Sequence, residues 1–299
     1  MAYNQNPKNY CIFALKYNKM VIANPIYDVV FKRMMENDKV AKFFIGTLLE
    51  ETIETIEVKP QEFTYVNELI GIAVFRLDFI ATIKTKTGEL KKVLIEIQKA
   101  KNMIDVMRFR NYLASQYGKE DEINGEKVVL PITTIYILGF KLPEISSPCL
   151  KVERNYKDLI NNSNIVSKSD FIEKLTHDSY VVQVERITGR YQTKLDKLLS
   201  LFEQANFTDD RKIVKDFTHE IDNDDIKMLA DILHYSGTDK DERKKLETEQ
   251  EAWRSIDAMT ENLRDRVLKQ SQELEEKEKS LSEKDKLIEE LLKKLSDKK

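Results

Sequence analysis

The 299-residue chain is poor in the residues that build zinc modules, disulfide scaffolds and glycine-rich loops. Two cysteines, Cys11 and Cys149, and three histidines are too few for a disulfide framework or a Cys/His zinc module. Eight glycines and six prolines exclude collagen-like and low-complexity architectures. No glycine-rich loop follows a predicted strand, which excludes a P-loop or a dinucleotide site. We therefore expect a reduced intracellular protein without a nucleotide cofactor, which either binds a metal through carboxylates or binds no metal.

Long apolar runs are missing as well. The longest run near the N-terminus, at 43–49, is far shorter than the ~20 residues of a membrane-spanning helix. Residues 1–23 lack the apolar stretch and the small-residue cleavage site of a signal peptide. These absences predict a cytoplasmic protein with no membrane segment. Residues 1–23 show no periodicity and are interpreted as an N-terminal extension, either mobile or preceding a natural start at Met20.

Charge of one sign is not in excess over the whole chain. The 49 Lys and Arg against 52 Asp and Glu leave a net charge of −3, so a polyanion site must come from local clustering. Residues 84–119 contain nine Lys and Arg against three Asp and Glu. This local excess favours contact with DNA, and a solvated hairpin and helix face is the alternative.

The C-terminal segment 239–299 differs in composition from the rest of the chain. It holds 34 charged residues among 61 and has no Gly or Pro. Apolar residues recur every seven positions, at Val267, Leu274, Leu281, Ile288 and Leu295. The complementary seam position is mixed, with Leu263, Gln270, Lys277, Lys284 and Leu291. The pattern predicts a homodimeric coiled coil through residues 263–295, and a single solvated helix held by i,i+4 ion pairs is the alternative.

The order of elements before this tail predicts an α/β sandwich. Asn24-Pro25 is typical of a helix start, with Asn as N-cap and Pro at the first helical position, and a second helix is predicted at about 38–50. Three strands, a helix and a fourth strand are then predicted at 55–65, 73–84, 91–99, 102–117 and 132–138. The turn at 86–89 joins two of these strands as a hairpin.

Four parts of the chain are predicted from these patterns. They are the extension 1–23, an α/β core at 24–145, a mostly helical accessory region at 146–238 and the charged tail 239–299.

Two of the predicted strands carry polar residues among apolar ones. Strand periodicity predicts that Asp78 lies on the face opposite the apolar side chains of its strand. It predicts the same for Glu96 and Gln98 on the next strand. Because these strands are hairpin partners, Asp78 and Glu96 can approach each other. Two converging carboxylates repel unless a cation lies between them, as in oxygen-ligand Mg²⁺ sites. The pattern therefore predicts a metal-bound water poised to attack a phosphodiester.

The spacing and order of these features resemble the PD-(D/E)XK nuclease superfamily, and more closely its transposase-like branch related to the recombination-promoting Rpn nucleases. The resemblance covers about residues 24–235. The residues that carry it are Asn24-Pro25, Asp28, Phe31-Lys32, Asp78, Glu96-Ile97-Gln98, Arg108 and Tyr112. It implies a restriction-endonuclease-like α-β-β-β-α-β core. It also implies a Mg²⁺- or Mn²⁺-dependent DNA endonuclease linked to recombination or mobile elements.

The resemblance also implies a role for each residue of the central motif. Asp78 and Glu96 would bind the metal together with the backbone carbonyl of Ile97, and Gln98 would orient the attacking water or a phosphate oxygen. The family pattern has a Lys where this chain has Gln98, and an amide can only hydrogen-bond. Slow turnover, Mn²⁺ preference and inactivity therefore stay open. Lys99 is a poor substitute, since it faces the other side of a regular strand.

Four further residues belong to the resemblance, and two of them, Asp28 and Tyr112, have two interpretations each. Asp28 either reaches the metal or is a first-turn acid favoured by the helix dipole and paired with Lys32. Arg108 suits a phosphate, and Tyr112, four residues later on the same helix face, either buttresses it or packs in the core.

Two classes of function follow from the sequence. The first is the metal-dependent DNA endonuclease, dimerised through its tail. The second is a catalytically inactive nuclease-fold module for DNA binding or protein interaction, and a coiled-coil adaptor capped by the α/β core is its structural variant.

Overall fold

A computed structural model describes residues 20–67, 72–99 and 103–296 of the chain. Within these ranges it describes the backbone alone at 59–67, 72–78, 103–105, 108, 260, 264, 290, 292, 295 and 296.

Helices and strands alternate through the first two thirds of the chain, and a long helix ends it. The helices are α1 (Asp28–Met35), α2 (Asp38–Leu49), α3 (Met103–Tyr117), α4 (Asp170–Leu175), α5 (Lys194–Phe202), α6 (Asp224–Thr238) and α7 (Lys240–Ser296). The strands are β1 (Met20–Ala23), β2 (Ile53–Asn67), β3 (Ile72–Thr85), β4 (Leu90–Gln98), β5 (Asp121–Ile123), β6 (Glu126–Val128), β7 (Ile132–Leu138), β8 (Cys149–Val152), β9 (Tyr156–Asp158), β10 (Ser163–Ile165), β11 (His177–Gln183) and β12 (Val214–Phe217).

A six-stranded mixed sheet organises the fold, in the order β2-β3-β4-β7-β11-β8. Strands β2, β3 and β4 form an antiparallel meander, whereas β4, β7 and β11 run parallel. The two helices, three strands, helix and strand that were predicted correspond to α1, α2, β2, β3, β4, α3 and β7, and the short strands β5 and β6 lie between α3 and β7. The predicted mixture of α and β elements is therefore confirmed.

Helices cover both faces of this sheet, and the two faces differ in character. Helices α1 and α2 lie on one face, where Phe31 packs edge-on against Phe44 and Phe79 at 5.4 and 5.1 Å between ring centroids. Alternate residues of β4, Val93, Ile95 and Ile97, are buried in this apolar layer. Helix α3 covers the opposite face of β4. The apolar alternation read from the sequence thus predicts correctly which face of β4 enters the main core.

The hairpin between β3 and β4 forms at the predicted turn. The Thr85 N–H donates to the Glu89 carbonyl at 2.9 Å, and Gly88 has a φ of 90°. A side chain would be strained at that φ, so glycine suits the turn. Helix α2 follows Asn37, whose side chain accepts from the N–H groups of Lys39 and Val40. Local sequence signals are sufficient for both features.

The predicted helix start at Asn24-Pro25 is wrong, since α1 begins at Asp28. Asn24 is fully buried, and its side-chain NH₂ donates to the Gln204 side chain at 3.0 Å and to the Lys212 carbonyl at 2.9 Å. Asn24 therefore joins two distant parts of the chain, and a turn follows it. These partners lie about 180 residues away, so no local capping rule identifies them.

The expectation that residues 146–238 are mostly helical is wrong. Strands β8 and β11 belong to the central sheet, and β11 pairs in parallel with β7 from His177–Ile132 to Gln183–Leu138. Strand β12 pairs with β1. The β11 strand was missed because polar residues, His177 to Ser179, open it and mask the apolar alternation of Tyr180 and Val182.

Two smaller features also differ from the sequence-based expectations. The loop containing Asn124-Gly125 is the turn of a short hairpin between β5 and β6, with φ of 54° and 84° at these two residues. The expectation of an unpatterned extension at 1–23 falls on residues outside the described part, except at 20–23, which form β1.

The predicted C-terminal helix is confirmed as α7, which changes surroundings along its length. Leu246 is fully buried and Gln250 nearly so, because this part of α7 packs against α1 and α6. Farther along, apolar side chains from Leu263 to Leu291 are exposed. Among the described helices, none combines the length and apolar character that crossing a bilayer requires.

Lys215, on β12, is a buried amine whose ionisation affects stability. Its Nζ donates to the carbonyls of Ser200, at 3.1 Å, and Glu203, at the end of α5. Burial lowers the pKa of Lys215 to about 7. In the unfolded chain a lysine titrates near pH ~10.4, so the unfolded state binds more protons between these values and stability rises with pH there.

We expect the free energy of unfolding of the wild type, relative to a Lys215→Met variant, to rise by about 1 kcal/mol per pH unit between pH 7.5 and ~9.5. Urea unfolding of both proteins across this range measures the difference. A difference that is independent of pH would contradict the neutral buried amine.

Candidate functional site

Glu96 and Gln98 lie on the α3 side of the central sheet, near the carboxyl end of β4. Glu96 is 1% exposed and Gln98 is 8% exposed. The parallel register sets Glu96 beside Tyr136 and Gln98 beside Leu138. The Gln98 carbonyl accepts the N–H of Gly139 at 2.8 Å. The sequence therefore places these two residues correctly on the face opposite the main apolar core.

The backbone register relates Asp78 to Glu96. Strands β3 and β4 pair from Lys84–Leu90 to Phe79–Ile95. If this register continues by one residue on each strand, Asp78 is opposite Glu96. Residues directly opposite in an antiparallel pair share a face and have Cβ atoms ~5 Å apart. The Asp78 side chain itself lies outside the described residues, so the convergence of the two carboxylates stays a prediction.

The donor set for a metal is incomplete among the described side chains. They contain no group of three or more His, Cys, Asp or Glu residues close enough to hold an ion. Asp78 is outside that set. The Ile97 side chain is a hydrocarbon that packs in the apolar core. The only atom with which Ile97 could bind a metal is therefore its backbone carbonyl oxygen.

Helix α3 packs through aromatic side chains on the face of β4 that carries Glu96. Phe109 and Tyr112 form a small core with Ile80 and Leu94, and the Phe109 ring lies 4.7 Å from that of Tyr136. Tyr112 is 4% exposed, which supports the packing interpretation of this residue. The Arg108 side chain, which the resemblance assigns to a phosphate, lies outside the described residues.

The α3 side of the sheet holds several buried or half-buried polar groups. Lys92 is 3% exposed and pairs with Asp121 at 2.8 Å, and Thr134 donates to Ser179 at 2.8 Å. Burial raises the pKa of Tyr136 to about 12. The charge of Glu96 raises it further, and a side-chain hydrogen bond with Thr134 opposes the shift. Polar groups are costly inside a core unless they are partnered or have a function. This layer is therefore the best candidate for a site.

A glycine brings the ends of β4 and β7 together at the site. A Cβ added to Gly139 would lie 2.9 Å from the Lys99 carbonyl oxygen and 3.0 Å from its Cα. Contacts this short displace backbone, so only glycine allows this approach. Gly139 therefore fixes the position of Gln98 and Lys99.

Lys99 turns to the side of the sheet opposite Gln98 and meets a residue that sequence reasoning missed. Its ammonium pairs with the Glu249 carboxylate and lies 4.3 Å from the Tyr27 ring centroid and 4.7 Å from that of Trp253. This geometry agrees with the expectation that Lys99 faces the side of the sheet opposite Gln98 and is a poor substitute for a lysine at position 98. Glu249 is 150 residues away along the chain, so no local signal points to this pair.

The same Glu249 carboxylate caps helix α1. The N–H groups of Asp28 and Val29 donate to its two oxygens at 3.0 Å each, and the Trp253 indole N–H donates at 3.3 Å. A carboxylate is favoured at a helix N-terminus because it satisfies free N–H groups and the helix dipole. Glu249 therefore joins α7, α1 and the end of β4.

Asp28 opens α1 in its first turn and is 8% exposed. Its helix packs on the face of the sheet opposite Glu96, yet Tyr27 contacts Lys99, so the start of α1 lies at the carboxyl end of β4. Both interpretations of Asp28 and Lys32 stay open, because the position fits a first-turn acid and is also at the correct end of the sheet.

The local basic excess at 84–119 is partly neutralised by acids from outside that stretch. Lys84 pairs with Glu54 at 2.9 Å, Lys91 with Glu51 at 2.7 Å, and Lys92 and Lys99 with Asp121 and Glu249. Lys86, Arg110 and Lys119 are exposed. The positive surface is therefore smaller than the sequence count predicts.

Comparisons with protein-family models, with curated proteins and with solved structures each return no match. The family resemblance therefore stays a proposal, supported by the motifs of this chain and by the geometry of β3 and β4. The arrangement brings together Glu96, Gln98 and Tyr136, and by register it adds the backbone of Asp78.

Removal of the Glu249 carboxylate is expected to destabilise the protein. Glu249→Ala leaves the Lys99 ammonium, with a side chain 11% exposed, without its ion pair and two α1 N–H groups without an acceptor. Breaking one side of a buried pair costs about 3 kcal/mol or more. Urea unfolding measures the loss, with Glu249→Gln expected between wild type and Glu249→Ala.

Glu251→Ala is the matched control, since Glu251 is exposed on the same helix. We expect it to change stability by less than about 0.5 kcal/mol. If Glu249→Ala and Glu251→Ala lower the free energy of unfolding equally, the contacts of Glu249 do not stabilise the packing of α7 on the core.

Proposed function

We propose that this chain is a Mg²⁺- or Mn²⁺-dependent DNA endonuclease of the PD-(D/E)XK type. The proposal rests mainly on one observation, the β3–β4 pairing that extends to Phe79–Ile95. Continued by one residue, that register would set Asp78 opposite Glu96. Two acids at opposed positions of neighbouring strands, on the polar side of a sheet, suit a divalent cation bound by oxygen atoms.

The arrangement of strands supports the proposal. Strands β2, β3, β4 and β7 lie side by side, with two antiparallel pairings followed by a parallel one, and α3 connects β4 to β7. This order is compatible with the α-β-β-β-α-β core that the family resemblance implies, with the short β5–β6 hairpin inserted between α3 and β7. We infer from it that the nuclease-like core comprises the segment from α1 to β7.

The donors available at this end of the sheet fit a hard divalent cation. Asp78, Glu96 and the Ile97 carbonyl would hold it, and oxygen donors of this kind are those that Mg²⁺ and Mn²⁺ prefer. When bound, the ion polarises a phosphoryl oxygen and makes water a stronger nucleophile at neutral pH. Glu96 is then the ligand that the α3 layer shields from bulk solvent.

Gln98 and α3 supply the remaining chemistry in this proposal. The Gln98 amide can donate to a phosphate oxygen or accept from water, so it orients the reactants without carrying charge. The exposed cations Lys86, Arg110 and Lys119 would attract the DNA backbone. We further propose a cytoplasmic protein and a homodimer formed through 263–295, with a role in recombination or mobile elements.

A second candidate is a nuclease-fold module that has lost catalysis and binds DNA or another protein. The observation that favours it is the pairing of Lys99 with Glu249 on the opposite side of the sheet, which directs this lysine away from Gln98. The ion pairs of Lys84, Lys91 and Lys92 also reduce the charge available to a polyanion.

The direct test is cleavage of supercoiled plasmid with Mg²⁺ or Mn²⁺. We expect Asp78→Asn and Glu96→Gln each to lower the rate about 100-fold or more, because each removes one anionic ligand while keeping the side-chain shape. Thermal unfolding confirms that the variants fold. Asp225→Asn, at an exposed position in the first turn of α6, is the control and should cleave like the wild type.

Cleavage that survives both substitutions would contradict the proposed site. Wild-type protein that binds neither ion and does not cleave would support the inactive module instead.

The role of the amide is tested by two changes at one position. Gln98→Lys restores the family pattern and adds a positive charge where charge develops in phosphoryl transfer, so we expect a rate about 10-fold higher. Gln98→Met keeps the length but removes the hydrogen bonds, and it should cleave more slowly than the wild type. Steady-state nicking assays give both rates, and equal rates for wild type and Gln98→Met would contradict the role.

A further inference from the structure

Helix α7 carries an apolar stripe beyond the part that packs on the core. Val267 is 64% exposed, Leu274 and Leu281 are each 59% exposed, and Ile288 is 53% exposed. These four residues are seven apart on one uninterrupted helix. Exposed apolar side chains at this spacing form a single narrow face, which is typical of a helix that pairs with another helix.

The seam is defined by two sets of positions. In a heptad, position d comes three residues after position a, and the next position a comes four residues after position d. The stripe that begins at Val267 has this spacing relative to a second set of residues, so the stripe is position a. The second set is therefore position d, and it consists of Leu263, Gln270, Lys277, Lys284 and Leu291. The two central d positions are thus lysines.

A parallel pair of identical helices would bring like charges together in the middle of this seam. Position d of one helix faces position d of the other, so Lys277 would meet Lys277 and Lys284 would meet Lys284. Flanking position g also faces the following position e of the partner, which would set Glu273 against Glu278. Like charges held at such close range cost free energy.

An antiparallel pair removes these contacts, because position a then faces position d. In the register that overlaps the whole seam, each residue faces the residue of the partner helix for which the two residue numbers add up to 558. Its layers are Leu263–Leu295, Val267–Leu291, Gln270–Ile288, Leu274–Lys284 and Lys277–Leu281, each occurring twice. Each lysine then packs its methylene stem on a leucine. Lys284 also lies beside Glu273, which flanks Leu274 of the partner, so this lysine gains an opposite charge across the seam. The like-charge contact that stays in this arrangement is Glu278 with Glu278 at the seam edge.

We propose that a second copy of this chain binds along residues 263–295 of α7 in the antiparallel direction, with the two-fold axis near residue 279. The helix leaves the core at about residue 257 and rises ~1.5 Å per residue, so each core lies about 33 Å from the axis. The two cores are then roughly 60 Å apart at opposite ends of the coiled coil.

This arrangement has a consequence for catalysis that rests on the proposed nuclease function. Two sites about 60 Å apart cannot cut opposite phosphates of one duplex turn together. Each core would therefore nick DNA independently, whereas a parallel coiled coil would bring the two cores to the same end.

Single-cysteine cross-linking distinguishes the two directions. In a background with Cys11→Ala and Cys149→Ala, Ser280→Cys places a thiol at a seam-flanking position beside the two-fold axis, and we expect it to form a disulfide-linked dimer under mild oxidation. Ser282→Cys, two residues later on the outer side of the helix, is the matched control and should stay unlinked. Circular dichroism verifies that the variants fold.

A second pair of variants tests the register. Val267→Cys faces Leu291 in the antiparallel pair, so neither Val267→Cys nor Leu291→Cys should link to itself, whereas their mixture should link. Efficient self-linking of Val267→Cys would indicate a parallel pair and overturn the proposal.

Sedimentation of the wild-type chain completes the test. A monomer at every concentration up to the highest measured would overturn the self-association altogether. The cross-linking and sedimentation results do not depend on the plasmid assay. A failure of the antiparallel-dimer proposal can therefore be distinguished from a failure of the nuclease proposal.

Discussion

The alternation of side chains along β4 is the constraint on which the rest of the structure depends. Val93, Ile95 and Ile97 enter the apolar layer under α1 and α2, so Glu96 and Gln98 must lie on the α3 side. A shift of one residue in register would bury the carboxylate in the main core, which is energetically prohibitive. The apolar core therefore holds the candidate site in place, although none of its side chains takes part in the chemistry.

Much of this arrangement is predictable from local patterns. The period of two in β4, the turn around Gly88 and the Asn37 cap of α2 depend on residues close in sequence. The β3–β4 register follows from the same short hairpin, because the turn sets which residues face each other. Sequence reasoning is therefore most successful for the β3–β4 hairpin, whose strands are joined by a four-residue connection.

Non-local contacts account for the features that sequence reasoning missed. Asn24 has the chemistry of a helix cap, but a distant glutamine side chain and a distant carbonyl bind it instead. The Lys99–Glu249 pair joins residues 150 positions apart. Acids outside the basic stretch likewise reduce its charge. Such partners are set by tertiary packing, so a count within one segment overestimates the free charge of that segment.

The central claim is that Asp78 and Glu96 share one divalent cation, and anomalous diffraction from crystals grown with Mn²⁺ tests it most directly. The proposal predicts one strong anomalous peak within ~2.2 Å of an oxygen of each carboxylate. Carboxylates on different faces of the sheet, or a well-ordered site that binds no ion at saturating Mn²⁺, would contradict it.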